Sequence, residues 1–226
     1  MLGVVAPFYA VVARARVPTG LSLRGRVLTV TEYLRTGLAA REIILTFDDG
    51  PGKRTSAHIL ATLKLFDAPA AFMMVGVMAE RYPAEARAIA SSGHLIGSHT
   101  YSHPNLSRMD LEAALADVDR GFRAIAATLA PARPSRVFRT PYLKSTERLA
   151  ARVAEAGYTE LPADCVPQDF EGPPVAWIRR AVSQLEQTQK GLLVLHDIQW
   201  NTVMMLPKLL VLLRDRGYSV VQLVEG

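Results

Sequence analysis

The sequence predicts an α/β fold: a parallel sheet, closed or nearly closed into a barrel, with helices packed outside it. Three observations predict it. From Arg41 onward, short strand-like runs alternate with amphipathic helical ones, the rhythm of strand–helix–strand units. Seven such units are too many for a small open sheet and suit a barrel. The run 192–195 is wholly apolar, as a strand buried on both faces of a parallel sheet must be.

The first strand ends in the run 43–51. β-Branched and aromatic residues favour extension there, two adjacent carboxylates follow, and Gly50-Pro51 stops it. Ile59, Leu60, Leu63 and Phe66 then mark a helix face. Residues 70–75 form a second apolar run, 79–91 read as one helix ended by Gly93, and 94–98 as a third strand. Ser107-Arg108-Met109-Asp110 resembles a capping box, after which Leu111, Leu115, Val118, Phe122, Ile125 and Leu129 form one helical stripe. Pro131 and Pro134 break it. Residues 136–140 and 158–163 are the fourth and fifth strands, separated by a helix over 146–156 that Gly157 stops. Pro173 and Pro174 open a helix that turns Val175, Ile178, Val182 and Leu185 inward. After the sixth strand, a helix near 202–216 leads to a seventh over 218–224.

A chain of 226 residues with 50% hydrophobic content fits one domain, or one domain with an appendage. We assign 1–40 to an N-terminal extension packing on the barrel and 41–226 to the catalytic domain. A mean hydropathy of +0.14 and 21% charged residues argue against disorder. The net charge of +5 comes from scattered Lys and Arg, with no aromatic–basic interleaving, so nucleic acid is not the expected partner. An anionic surface is favoured mildly. Cys165 is the only cysteine, so no internal disulfide exists, and it reads as a small buried hydrophobe. Residues 1–13 are apolar but lack a basic start and contain Pro7. They are too short to span a bilayer and give no clear secretion signal, so compartment stays open.

In a parallel barrel, chemistry sits where strands meet the following loops. Reading those loops gives Asp48 and Asp49, then His99 and His103, then Arg139 to Tyr142, then Asp164 and Asp169, then His196 and Asp197. His99 and His103 are four apart, so in a helical turn both rings point to one side. Such a pair alone is weak evidence. Two imidazoles and a carboxylate nevertheless suit Zn²⁺ or a similar divalent ion with a position open for water. A metal brings bound water to a pKa of about 7. Hydrolysis then needs a base and an acid, and one Asp with His196 would fill those roles.

These blocks resemble the polysaccharide deacetylase family, the NodB-homology domain of carbohydrate esterase family 4. The motifs stand in order: Thr46-Phe47-Asp48-Asp49-Gly50-Pro51, His99-Thr100-Tyr101-Ser102-His103, Arg139-Thr140-Pro141-Tyr142 and Leu193-Val194-Leu195-His196-Asp197. The resemblance implies a distorted (β/α) barrel of seven to eight units and metal-dependent removal of an N-linked acetyl group from an amino sugar in a chitooligosaccharide or peptidoglycan-like substrate. It implies Asp48 as general base, Asp49, His99 and His103 as ligands to one divalent metal (Zn²⁺, with Co²⁺ or Ni²⁺ as substitutes) and Arg139 as partner of Asp48. The Tyr142 N–H would hold the oxyanion, His196 would be the general acid, and Leu195 would line the pocket for the acetyl methyl. One motif departs: the family's acidic pair after the fifth strand is incomplete. Counted without gaps its first position is Val166; Asp164 faces the same side in a strand, and Asp164, Asp169 or Asp197 would tune His196. The same chemistry on a non-sugar amide, an imide or an O-acetyl ester is the alternative, and a carbohydrate-binding module without catalysis the third reading.

The remaining candidates have plainer readings. His94 reads as a hydrogen-bonded structural residue, His58 as a helix surface residue, Trp177 as packing and Met204-Met205 as core filling. Trp200 near the mouth is either a sugar platform or a loop anchor.

Overall fold

Among the described residues, eight strands, every pair of them parallel, form the sheet, and the cleft lies at their carboxyl ends. The computed structural model describes residues 20–226, so the readings on residues 1–19 lie outside the described residues. The strands are β1 (Arg24–Thr29), β2 (Glu42–Asp48), β3 (Ala71–Met74), β4 (Leu95–Ser98), β5 (Val137–Phe138), β6 (Thr159–Glu160), β7 (Gly191–His196) and β8 (Ser219–Val224). They run in the order β1-β8-β2-β3-β4-β5-β6, with β7 also paired to β2. The named strands β6 and β7 do not pair. The chain past β6 reaches β7 at one isolated parallel bridge, Cys165 to Leu193, so the ring is distorted rather than a regular barrel.

Around the sheet lie α1 (Val30–Thr36), α2 (Thr55–Leu65), α3 (Gly76–Arg81), α4 (Pro83–Ser91), α5 (Leu111–Leu129), α6 (Glu147–Glu155), α7 (Pro174–Thr188) and α8 (Trp200–Asp215). None of the described helices is long and apolar enough to cross a membrane.

Strand alternation gives the sheet an outer and an inner apolar face, and a third apolar cluster gathers Phe138 with Val118, Phe122 and Leu149 beneath α5 and α6. Ile43, Leu45, Phe47, Leu193 and Leu195 face outward into the larger core beneath the helices, with Trp177, Ile178 and Leu206. Ile44, Met73, Leu192 and Val194 face inward, and Val30 and Tyr33 of α1 join them there. Residues 20–40, read as an extension, thus add β1 beside β8 and set α1 side chains against the inner face. Weak periodicity hid both elements, although Thr29 and Glu32 form a full capping box.

Four local readings change. The helix expected over 79–91 is two, because Tyr82 is non-helical (ψ 61°) before Pro83 opens α4. The cap of α5 is Asp110, whose carboxylate accepts from the Glu112 and Ala113 N–H groups, rather than a box begun by Ser107. On α7, Ile178 and Leu185 are buried and Val182 packs on the core as expected, but Val175 is exposed and the fully buried Trp177 takes its place at the start of the stripe. Met204 is exposed rather than core filling.

Candidate active site

Asp48 is the last residue of β2 and lies in register beside His196, the last of β7. Both share the inward parity of Ile44 and Val194. Immediately after Asp48 the backbone turns: Asp49 has φ 74°, and Gly50 packs so tightly on Asp197 that a Cβ there would lie 1.9 Å from its Oδ1. That turn lets two adjacent carboxylates reach the same cleft. Asp197 itself is buried beneath it and accepts a 2.5 Å hydrogen bond from Ser56. Burial raises its pKa to about 7 against the effect of that hydrogen bond, with Asp49 and Asp48 adding to the rise.

His99 and His103 follow β4. They do not share a helical turn, as their spacing suggested. The segment bends through positive φ at Thr100 (70°) and His103 (57°), and the Thr100 hydroxyl accepts the His103 N–H at 3.0 Å. Asp117 on α5 holds the bend by accepting from the Tyr101 and Ser102 N–H groups and the Ser102 hydroxyl. Gly121 lets α5 approach, since a Cβ would sit 2.5 Å from the Thr100 carbonyl carbon. The result sets the His99 and His103 Nε2 atoms 3.6 and 3.1 Å from Asp49 Oδ1.

The three ligand atoms lie within 4.8 Å of one another. His99 donates its Nδ1–H to the Arg139 carbonyl at 2.7 Å, which leaves Nε2 as a lone pair facing the others. Burial lowers the His99 pKa against the pull of Asp48 and Asp49, so the neutral ring is favoured. Asp49 meets the opposite outcome. Burial alone would raise its pKa, but His103, His196 and His99 outweigh burial and hold it low. Its Oδ1 is buried with no hydrogen-bond donor. A carboxylate oxygen and two imidazole nitrogens converging in this way fit a divalent cation.

Arg139, fully buried at the end of β5, donates from one nitrogen to Asp48 at 2.7 Å and Thr46 at 2.8 Å, and from another to the Pro162 carbonyl. The guanidinium thereby fixes the Asp48 carboxylate in the cleft floor.

His196 occupies the other wall. Its Nδ1–H donates to Asp169 at 2.6 Å, while its backbone N–H donates to the second oxygen of the same carboxylate at 2.8 Å. Thr202 on α8 adds a hydroxyl donor to that oxygen. Burial opposes charge on the ring, yet the Asp169 bond and charge, with Asp49 and Asp48, prevail and raise its pKa to about 9.

Of the three carboxylates weighed for this role, Asp169 is the one in contact. Asp164 accepts the Leu192 N–H and packs on Gly191, and Asp197 lies under the Gly50 turn. The ungapped count missed because β6 ends at Glu160 and the chain then crosses to β7 as a loop, where strand parity no longer applies.

These groups open onto a cleft of about 530 Å³. Its mouth carries Tyr142, Phe170 and Lys144. Tyr142 (φ 59°) and Leu143 (φ 55°) form a strained turn, and position in its first turn leaves the Tyr142 N–H without an intrahelical acceptor. The Tyr142 ring lies edge-on to His103 at 4.8 Å and Phe170 edge-on to His196 at 5.1 Å. Leu195 does not line this cleft. It is fully buried on the helix side, and its neighbour Val194 lines the wall, a one-residue offset that parity with His196 would have revealed. Thr202 went unforeseen and left no sequence signal.

The structural readings of His94, Trp177 and Cys165 hold, while His58 is half-buried against Trp200 rather than a free surface residue. His94 accepts the Ala70 N–H, packs on Phe72 and is driven by burial to a pKa of about 4. Trp177 is core, and Cys165 is buried, its thiol pushed up to about 12 by burial.

Residues 36–161 match the model of the family described as polysaccharide deacetylase. The match includes Asp48, Asp49, His99, His103, Arg139 and Tyr142, and ends before Asp169 and His196. The chain is 30% identical over 216 residues to a chitooligosaccharide deacetylase of Sinorhizobium fredii, covering 86% of this chain and 98% of that one. A chitooligosaccharide deacetylase of a Bradyrhizobium species is 33% identical over 70% of this chain and 71% of its own. Among solved structures, a Bdellovibrio bacteriovorus peptidoglycan deacetylase superposes with a TM-score of 0.78 at 28% identity, covering 91% of this chain and 57% of that one.

Proposed function

The chain belongs to the polysaccharide deacetylase family, and on that premise we propose that it is a metal-dependent hydrolase removing N-linked acetyl groups from an N-acetylated amino sugar within a chitooligosaccharide or peptidoglycan-like glycan. The observation that carries the reading is the register of Asp48 beside His196, with the Asp49–His99–His103 cluster opening on the same cleft. Asp49, His99 and His103 would hold one divalent cation. When bound, it supplies a Lewis acid and an acidified water. The other roles fall to the chain itself. Asp48, oriented by Arg139, takes the proton of the attacking water. The Tyr142 N–H donates to the carbonyl oxygen as it gains negative charge. His196, held protonated by Asp169, passes its proton to the departing sugar nitrogen, so that acetate and the free amine result. Val194 and Val166 offer the apolar wall that a methyl group needs.

The test is metal analysis of the purified protein beside acetate release from chitooligosaccharides and peptidoglycan fragments, with O-acetyl esters and small amides as comparison substrates. Stoichiometric divalent metal and acetate from an amino sugar are expected. A protein with no metal, and no activity after adding Zn²⁺ or Co²⁺, overturns the reading.

A further inference from the structure

The chain has two tryptophans, and their surroundings are opposite. Trp177 is sealed in the core, whereas Trp200 is 45% exposed. Exposed large aromatic rings are few among the described residues: Tyr142, Phe170 and Trp200. The first two line the cleft, and Trp200 directly follows Gln199, which also lines it. A ring serving as a loop anchor would be buried; this one is presented.

It is also packed on one side. Trp200 starts α8, and the His58 ring of α2 lies against it at 5.6 Å and 50°. The next residue, Asn201, donates to the Gly172 carbonyl in the loop that carries Phe170. Met204, one turn further on, is 47% exposed and lengthens the apolar strip away from the cleft. A half-exposed indole backed by another ring gains little from water and offers a flat face to a partner. The C–H face of a pyranose ring suits it, and a glycan lying in the cleft would extend neighbouring rings past Gln199.

We propose that Trp200 is a stacking platform for a sugar ring beyond the one being deacetylated, so that the enzyme selects oligomers over single sugars. This rests on the deacetylase reading of the cleft. Because Trp177 is buried, tryptophan emission changes on glycan binding report Trp200 without labelling.

The experiment titrates N-acetylglucosamine and its tetramer into the Asp48→Asn chain, following emission and acrylamide quenching. In parallel, kcat/KM for tetramer and monomer is compared in the parent, Trp200→Ala and Trp200→Phe. The tetramer should shift emission and shield the ring, and monomer should do so weakly. Trp200→Ala should lower the tetramer-to-monomer ratio of kcat/KM by about 3- to 10-fold, with Trp200→Phe retaining part of it. Emission unmoved by tetramer, with an unchanged ratio in Trp200→Ala, overturns the platform while leaving the deacetylase reading intact. Emission that responds to tetramer, with no acetate released from any sugar, sinks the deacetylase reading and keeps the platform. Silence in both assays overturns both.

Discussion

The cleft has two histidine-bearing walls, and the same side chain is put to opposite use in each. On the β4 side, His99 is buried, gives its Nδ1–H to a backbone carbonyl and has its pKa lowered. On the β7 side, His196 gives its Nδ1–H to a carboxylate and has its pKa raised to about 9. Both rings are desolvated. The acceptor behind Nδ1 differs: a neutral carbonyl fixes a tautomer and supports a positive ring only weakly, whereas the Asp169 carboxylate supports one strongly. A metal ligand must be neutral and a general acid must be protonated, so the partner behind each ring suits it to the role proposed for it.

The backbone differs as well. The wall proposed to hold the metal is a strained bend pinned from α5 by Asp117 and Gly121, while the proposed acid stands at the end of a regular strand. Ligand geometry therefore depends on loop packing, and acid geometry on β-sheet register.

The largest effects should come from breaking either chemistry outright. Asp49→Ala should abolish metal retention, a loss beyond the roughly 10–100-fold in affinity that removing an outer-shell partner costs; metal analysis after dialysis checks it. Asp48→Asn should keep its metal and lose turnover by about 10²- to 10⁴-fold, the usual contribution of a general base. Metal loss in that variant would mean the two carboxylates share one task.

Asp169→Asn exposes the difference between the walls most directly. Turnover should fall by about 10²-fold with metal content unchanged, and the alkaline limb of kcat should move to lower pH. The sign follows from the raised pKa: the ring is protonated below about 9 and loses its proton above it, and without Asp169 that loss comes earlier. Stability should follow suit. A folded pKa above the unfolded value of about 6.5 stabilises fully below that value, and the gain fades as pH climbs through about 9. Denaturant melts of parent and variant should converge across that window. An alkaline limb that stays in place would remove His196 as the acid.

Gly121→Ala strikes the ligand wall from outside the cleft. The added methyl presses on the Thr100 backbone and should cost about 1–3 kcal/mol of stability. Metal affinity should fall with little change in the alkaline limb. The smallest effect is expected from Thr202→Val, which removes one donor from Asp169 and should cost about 1 kcal/mol, near fivefold in turnover.

Much of this site was legible beforehand because the residues concerned end strands. Asp48, Asp49, His99, Arg139 and His196 each follow an apolar run closed by a turn signal, and parallel topology gathers such positions at one end. Where the chain leaves regular structure, legibility stops. The spacing of His99 and His103 suggested a helical turn, yet a positive-φ bend brings the rings together. The segment 161–169 lost strand parity, so Asp169 could not be told from Asp164. Val194 rather than Leu195 walls the cleft because it shares the inward parity of His196, a relation the strand's own alternation already sets.

By itself, then, the sequence determined the parallel strand–helix order and the chemical types at the strand ends, because periodicity and turn chemistry are local. Only the tertiary structure decided which carboxylate faces His196, which valine walls the cleft, and that Val30 and Tyr33 help fill its inner face. Those outcomes depend on contacts between segments far apart in the chain, such as the 27 positions separating Asp169 from His196, and no local pattern encodes them.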